Sequence, residues 1–332
     1  MSDTSWNSFM TLLRAGLWEQ NLPGCDIPVF DWPEVLQLGR DQAVMGLVLR
    51  GTAHLTKHVP ETIHAELIAW ETALRRVSER LDRVEEDLLK EFRQAGLHPV
   101  VQKGSAAAKY YPDPELRQGG DIDLFCPEFS QACALVPMAR VAPDGAAVFS
   151  RIGVTVELHP RYYDLHLDPK HLPEPGTPCG ELLLLSAHIL KHAIGSGVGF
   201  KQCCDLARAL EALEGQYDKE EFRAALRGAG LMRWHQLLCS VLVLDLGLKP
   251  ERCLPGFVPC DPEPLRKIIR SGGNFGRTGT VKQKSLQGGA VGRKAITAAG
   301  FLRRVPFSLR YAPREAFATI RELLQGNLRS GK

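Results

Sequence analysis

The chain has 332 residues, of which 44% are hydrophobic and 24% charged, ordinary values for a globular protein of one large domain or two modest ones. The net charge is only +3, no apolar stretch approaches the roughly 18 residues that cross a bilayer, and the N-terminus lacks the pattern of a secretory signal. The sequence therefore predicts a cytoplasmic protein without a transmembrane segment.

The first 60 residues read as short helices that are interrupted by prolines. A longer helix is predicted from Glu61 to Gln94, because apolar side chains recur there at steps of three and four residues and form one buried stripe. Gly96 is placed to end this helix as a C-terminal cap.

A short strand, Leu97 to Gln102, is predicted next, and an Ala-rich helix follows it at Gly104 and Ser105. A glycine between a strand and a helix lets the backbone approach a phosphate closely. Ser105 adds a hydroxyl donor and Lys103 a cation. Turns of this kind are common, so the motif by itself indicates only a candidate phosphate contact.

The segment from Asp121 to Cys126 alternates acidic and apolar residues, which predicts a half-buried strand. Asp121 and Asp123 then share one face, while Ile122 and Leu124 are buried on the other. Two neighbouring carboxylates repel each other unless a cation lies between them, and oxygen ligands suit Mg²⁺ or Mn²⁺. Two solvated acids on an edge strand are the alternative.

A helix around Phe129 to Arg140 is predicted to lead into two strands, Ala146 to Ile152 and Val154 to His159, that turn at Gly153. The second strand also alternates, with Thr155, Glu157 and His159 on one face. If it lies beside the aspartate strand, Glu157 joins Asp121 and Asp123. Three carboxylates around two divalent ions can activate a hydroxyl and stabilise a departing pyrophosphate.

The rest of the chain is predicted to be mainly helical. The predicted elements are helices at Glu181–Ile194, Cys203–Leu213, Lys219–Arg227 and Leu231–Leu246, a Gly-rich loop at Gly272–Gly292, and a basic helix at Pro313–Leu324. Residues 265–332 contain fifteen Lys and Arg but two acids, a charge of +13 against −10 for the remainder. This asymmetry favours an anionic partner, such as nucleic acid, a phospholipid surface or a phosphorylated substrate, or else a basic tail folded against the acidic body.

This order of elements predicts an α+β protein with a small mixed sheet, preceded by helices and followed by a helical domain. The predicted divisions are an N-terminal helical segment at 1–63, a sheet-containing core at 64–165, a helical domain at 166–260 and a basic Gly/Arg-rich region at 261–332.

A resemblance rests on residues 100–125, VVQKGSAAAKYYPDPELRQGGDIDLF. This stretch resembles the KGxA…YPDPxxRxxxDIDL pattern of an uncharacterised nucleotidyltransferase family of bacteria, within the superfamily that shares a polymerase-β-like core. Later pieces resemble it too: Val156-Glu-Leu-His159, His188-Ile-Leu-Lys-His192 and Asp205. Pro160, which follows this Glu-Leu-His, departs from the family, in which a bulky aromatic is more usual.

The resemblance implies transfer of a nucleoside monophosphate from a nucleoside triphosphate, ATP among them, to an acceptor, with release of pyrophosphate. The acceptor stays open between a small molecule, a sugar phosphate, a peptide and RNA. Mg²⁺ or Mn²⁺ would be the cofactor. The implied catalytic residues and metal ligands are Asp121, Asp123 and Glu157, and the implied nucleotide contacts are Lys103, Gly104, Ser105, Arg117 and Lys191.

Other readings of the same residues are weaker. The nine cysteines include no CxxC pair and read as reduced thiols, and no structural zinc is expected. His188 and His192 lack the glutamate of an H-E-x-x-H metallohydrolase, and the Gly-rich stretches do not match a P-loop. A metal-dependent nuclease would combine Asp113 or Glu115 with Asp121 and Asp123, but Leu124 and Phe125 follow the last acid where its catalytic lysine is needed. A catalytically inactive nucleotide-binding or regulatory protein, such as a toxin–antitoxin component, remains the main alternative.

Overall fold

The computed structural model describes residues 3–20, 22, 31–53, 55, 59–136, 139–142, 145–164, 166, 172–195, 197–273 and 304–329, the last eight of these by backbone only. The chain divides into two compact units. The first contains Met1–Arg40 and Val44–Tyr162, and the second contains Asp41–Ala43 and Tyr163–Lys332. The α+β class is confirmed, while the four-part division at 63, 165 and 260 stays a proposal.

The first unit begins with three helices, α1 (Asp3–Trp18), α2 (Trp32–Asp41) and α3 (Met45–Thr52). Helices α1 and α3 pack closely because glycines lie where they meet. A Cβ atom added at Gly16 would lie 1.9 Å from the carbonyl oxygen of Leu47, and one at Gly51 would lie 2.1 Å from that of Leu12. Only glycine permits this approach.

The long helix α4 (Glu61–Gln94) is confirmed with its predicted bounds. Its buried side chains lie on one stripe: Leu67, Leu74, Val84, Leu88 and Phe92. Gly96 has a φ of +77°, a conformation that glycine adopts without strain, and the chain leaves the helix there.

Five strands form one mixed sheet: β1 (Val100–Gln102), β2 (Asp121–Phe125), β3 (Arg140–Val141), β4 (Ala147–Arg151) and β5 (Val154–His159). Their spatial order is β1-β2-β5-β4-β3, with β2 and β5 parallel and the other neighbours antiparallel. Helix α5 (Gly104–Ala108) and a 3-10 turn (Pro114–Leu116) connect β1 to β2, and α6 (Phe129–Leu135) follows β2.

Two sequence predictions in this region are corrected. The first strand begins at Val100 rather than at Leu97, because Leu97 belongs to the end of the α4 turn, where its amide donates to the Phe92 carbonyl. The predicted helix from Phe129 to Arg140 ends at Leu135, and Arg140 lies in a strand. Pro137 explains this end, since the residue before a proline is disfavoured from helical backbone angles.

One face of the sheet packs against α4 and α6. The buried cluster there contains side chains from the helices and the alternate strand positions: Val84, Leu88, Phe92, Leu97, Ile122, Leu124, Cys126, Ala132, Val136, Ala147, Val154, Val156 and Leu158. Because side chains alternate along a strand, the residues between these apolar positions lie on the opposite face of the sheet. That face carries the polar groups described below.

The second unit is helical where it is described. Its helices are α7 (Pro178–Ile194), α8 (Phe200–Ala212), α9 (Lys219–Ala229), α10 (Met232–Leu244), α11 (Glu263–Gly272), a helix over 304–311 and a last helix, Pro313–Arg329. The sequence had predicted all but α11 and the helix over 304–311. Gly272 ends α11, so the predicted Gly-rich loop does not begin there, and residues 274–292 of that loop lie outside the described residues.

Some basic side chains of the described C-terminal region bind groups of the second unit itself. The Arg266 guanidinium lies 2.6 Å from an oxygen of Asp245, and Arg304 donates to the carbonyls of Ala193 and Gly195. The cysteines among the described residues are free thiols, most of them buried, as the sequence predicts. Among the described helices, none combines the length and the apolar character that a membrane span requires.

Candidate active site

The two aspartates of β2 lie on the polar face of the sheet. Ile122 and Leu124 are buried on the opposite face, as the alternation predicts. Asp123 is buried, with 8% of its surface exposed, whereas Asp121 at the start of the strand is exposed. A buried carboxylate needs a positive charge or hydrogen-bond donors nearby, so we expect Asp123 to have such partners.

Strand β5 lies directly beside β2, and its register pairs Glu157 with Asp123 and Thr155 with Asp121. Paired residues on adjacent strands project to the same face, so the carboxylates of Glu157 and Asp123 are neighbours. Burial raises the pKa of Glu157, and the negative charge of Asp123 raises it further. The protein therefore holds two acidic groups together that repel each other when both are ionised.

His159 completes this cluster, and sequence reasoning did not propose it as a site residue. Its Nε2 lies 2.8 Å from Oδ1 of Asp123 and 3.8 Å from Oε2 of Glu157. Ligand atoms of these three residues all lie within 4.8 Å of one another. The alternation of β5 already placed His159 on the face of Glu157, but no sequence signal indicated that its ring reaches Asp123.

The turn between β1 and α5 lies beside the carboxylates. Lys103 has an uncommon positive φ of 50°, and its buried Nζ lies 3.6 Å from Oδ1 of Asp123. A Cβ atom added at Gly104 would lie 3.6 Å from the carbonyl oxygen of Asp121. The structure thus brings the predicted phosphate turn next to the predicted metal-binding strand, although the two are about twenty residues apart in sequence.

Ser105 is engaged by a residue that the sequence did not single out. Its hydroxyl donates a hydrogen bond to the carboxylate of Glu85 on α4. Burial raises the pKa of Glu85, and the hydrogen bond from Ser105 partly offsets that effect. Helix α4 therefore reaches the turn and holds the serine side chain.

Gln102, the last residue of β1, is in register with Asp123. Its side-chain amide donates to the carbonyl of Tyr162 at 2.5 Å, and the residue is buried. This bond ties the end of the β5 segment to β1, and it keeps the two strands that flank β2 in place.

The two other predicted nucleotide contacts, Arg117 and Lys191, are on elements other than the strands and the turn described above. Arg117 is half-buried at the end of the 3-10 turn, where its backbone amide donates to the Pro114 carbonyl. Lys191 lies on α7 in the second unit, with Nζ 3.0 Å from Oδ1 of Asp164, and Nδ1 of His188 lies 3.0 Å from the other oxygen of that carboxylate.

Asp113 and Glu115, the two acids that a nuclease would use, form ion pairs with arginines of the helices. The guanidinium of Arg75 on α4 forms a 2.9 Å ion pair with Asp113 and a second ion pair with Glu115. Arg50 on α3 also lies 3.6 Å from Asp113. These contacts attach the loop before β2 to the helices, which is a structural role.

One of three comparisons with known proteins found a match. The family model of an uncharacterised nucleotidyltransferase matches residues 28–244, about two thirds of the chain, from before α2 to the end of α10. No curated protein and no solved structure gave a significant match. The matched region includes the sheet, the carboxylates and the Lys103–Ser105 turn, and the chain belongs to this uncharacterised nucleotidyltransferase family.

Proposed function

We propose that the protein transfers a nucleoside monophosphate from a nucleoside triphosphate to an acceptor, in a reaction that requires Mg²⁺ or Mn²⁺. The observation that carries the proposal is the pairing of Asp123 with Glu157 across adjacent parallel strands. The approach of Gly104 to the backbone of Asp121 supports it, as does the family to which the chain belongs.

The donor set fits a divalent cation. Asp123 is buried and Glu157 half-buried, so their adjacent negative charges are costly unless a cation lies between them. Asp121 offers a third carboxylate on the same face of β2. Carboxylate oxygens are preferred ligands of Mg²⁺ and Mn²⁺. When bound, such ions neutralise triphosphate oxygens and make a hydroxyl a better nucleophile.

The residues around the carboxylates supply the proposed nucleotide contacts. Lys103 contributes positive charge toward the phosphates, and Gly104 lets a phosphate approach the backbone. Arg117 stays a contact that only the family resemblance predicts. The Ser105 hydroxyl would exchange its hydrogen bond with the α4 carboxylate for one with a phosphate oxygen. Lys191 stays a prediction that rests on the family resemblance alone.

In the proposed reaction an acceptor oxygen attacks the α-phosphorus in line with the bond to the β-phosphate. A new P–O bond forms while the bond to the bridging oxygen breaks, and pyrophosphate leaves with that oxygen. Glu157 assists removal of the acceptor proton, which passes to solvent. The acceptor is a small molecule, a sugar phosphate, a peptide or RNA, and the basic region 265–332 would attract an anionic acceptor or partner.

The test is a double substitution, Asp121→Asn with Asp123→Asn, which removes charge while preserving shape. We expect loss of label transfer from each α-labelled nucleoside triphosphate to components of a cell extract in the presence of Mg²⁺. Asp87→Asn, an exposed position on α4, is the matched control and should retain transfer. Undiminished transfer by the double variant would remove the mechanism.

A catalytically inactive nucleotide-binding or regulatory protein is the second candidate, and one observation favours it. Asp123 is already accompanied by His159 and Lys103, and the Ser105 hydroxyl already donates to Glu85. Each of these contacts would compete with metal and nucleotide. Retention of labelled nucleotide without any labelled product and without pyrophosphate release would support this candidate.

A further inference from the structure

The ligand atoms that converge in the first unit belong to two carboxylates and one imidazole, rather than to three carboxylates. Asp123, Glu157 and His159 bring them together, whereas Asp121 is exposed at the start of β2. The imidazole matters because nitrogen and oxygen ligands select different ions.

The backbone holds these three side chains in place. Asp123 and Glu157 are register partners, and His159 follows two positions later on the same strand face. His159 is 6% exposed, so its ring has little freedom to turn toward solvent. A ligand set that strands and burial hold in place needs little rearrangement to bind an ion.

The distances suit a shared ion. Two ligands that bind one ion at about 2.1 Å stand roughly 3.0 Å apart at a right angle and about 3.4 Å apart at a tetrahedral angle. The observed separations from Nε2 of His159 are 2.8 Å to Asp123 and 3.8 Å to Glu157, which bracket those values. Small movements of the side chains are enough to centre an ion.

We propose that His159 binds the divalent ion directly through Nε2, together with Asp123 and Glu157, and that the site consequently prefers Mn²⁺ to Mg²⁺. The inference rests on the proposed function, whose metal requirement it makes specific. Mg²⁺ prefers oxygen ligands and gives up its water reluctantly, whereas first-row transition ions accept imidazole readily. A donor set with one imidazole therefore favours the transition ion.

Lys103 affects the two ions in the same way. Its ammonium lies 3.6 Å from Oδ1 of Asp123, so any divalent ion at this carboxylate must overcome its repulsion. Mn²⁺ and Mg²⁺ carry equal charge, and the repulsion weakens both. The ratio of their affinities is thus a cleaner measure of the role of His159 than either affinity alone.

The experiment uses the full chain, with Mn²⁺ alone and again with Mn²⁺ and ATP. Binding is measured by the electron paramagnetic resonance signal of free Mn²⁺, and Mg²⁺ affinity by competition. Pulsed measurements on the bound Mn²⁺ detect coupling to a directly bonded imidazole nitrogen. We expect this coupling, and an affinity for Mn²⁺ about tenfold or more above that for Mg²⁺.

His159→Gln is the informative variant, because a glutamine amide can still donate a hydrogen bond to Asp123 but offers no imidazole. We expect the nitrogen coupling to disappear and the Mn²⁺ to Mg²⁺ ratio to fall about tenfold or more. His98→Gln is the matched control, since His98 also contacts a carboxylate, Glu128 at 2.9 Å, but lies exposed after α4. It should leave both readouts unchanged.

The outcomes separate this inference from the proposed function. Bound Mn²⁺ without imidazole coupling in the unmodified protein would mean that His159 only supports Asp123 by a hydrogen bond, and would overturn the inference alone. An unchanged affinity ratio in His159→Gln would do the same. Failure of any divalent ion to bind, with or without ATP, would overturn the metal requirement of the proposed function as well.

Discussion

At the scale of single residues, burial decides which ionisable groups matter. Asp121 and Asp123 are equivalent in the sequence pattern, yet one is exposed and the other is surrounded by His159 and Lys103. The same contrast applies to the histidines: His98 is exposed beside Glu128, while His159 is enclosed in the carboxylate cluster. Side-chain type alone therefore could not rank them.

His235 on α10 provides a residue-scale prediction about pH. Its ring is buried, and burial lowers its pKa to about 4. Because the folded pKa lies below the unfolded value of about 6.5, its contribution to stability is complete above pH 6.5 and is lost as the pH falls toward 4. We expect that loss to reach about 3 kcal/mol in the second unit.

Hydrogen exchange of α10 peptides between pH 7 and 4, corrected for intrinsic exchange rates, measures this effect. His235→Gln, which does not titrate, should show a shallower loss of protection on acidification than the unmodified protein. His64→Gln, an exposed position on α4, should retain the original pH profile. Identical profiles for His235→Gln and the unmodified protein would contradict the prediction.

At the scale of elements, the alternation of polar and apolar residues predicted strand faces, whereas the positions of glycines did not predict which helices pack together. The period-two patterns of β2 and β5 correctly indicated the apolar side chains that pack against the helices, but not the burial of Asp123 and His159 on the other face. The close approach of α1 and α3 was not predicted, because nothing in the local sequence tells which helix will face Gly16 or Gly51.

Gly51→Ala tests this helix contact. The new methyl group would meet the backbone carbonyl of Leu12 at 2.1 Å, so the helices must separate. We expect a loss of about 1–3 kcal/mol in the free energy of unfolding, measured by urea denaturation.

Gly120→Ala is the matched control for the helix contact. No atom lies within 4 Å of a Cβ added there, and its φ is not positive. A Gly51→Ala protein as stable as the Gly120→Ala protein would mean that the helices do not approach as described.

At the scale of the whole molecule, the second unit includes a short early segment of the chain. Residues 41–43 belong to it, although the chain before and after them belongs to the first unit. Gln42 is 2% exposed there. Its Oε1 accepts from the amide of Phe200 at the start of α8, and its Nε2 donates to the carbonyl of Ile269 on α11. One side chain thus satisfies two buried backbone groups that are 69 residues apart in sequence.

Gln42→Ala should destabilise the second unit by about 1–3 kcal/mol, because it leaves the buried amide of Phe200 without this partner. The Ile269 carbonyl keeps the Gly273 amide as a donor, so it adds little to this cost. The measurement is hydrogen exchange of peptides from α8 and α11. Gln37→Ala, an exposed position on α2, should leave their exchange unchanged. Equal protection in the two variants would contradict the proposed role of Gln42.

The sequence by itself determined the class of fold, the bounds of α4, the apolar face of β2 and β5, and the carboxylates that motivate the proposed function. These follow from local period, from helix-ending glycine and from a motif order that resembles the family to which the chain belongs. Each depends on residues a few positions apart, where chain geometry alone relates the side chains.

Only the tertiary structure decided which strands are neighbours and in what register. That decision brought Glu157 opposite Asp123, turned the ring of His159 into the same cluster and joined Ser105 to Glu85. Such contacts depend on how distant elements pack, and a shift of one residue in register would move every side chain of a strand to the other face. Local patterns do not tell which strands will be neighbours.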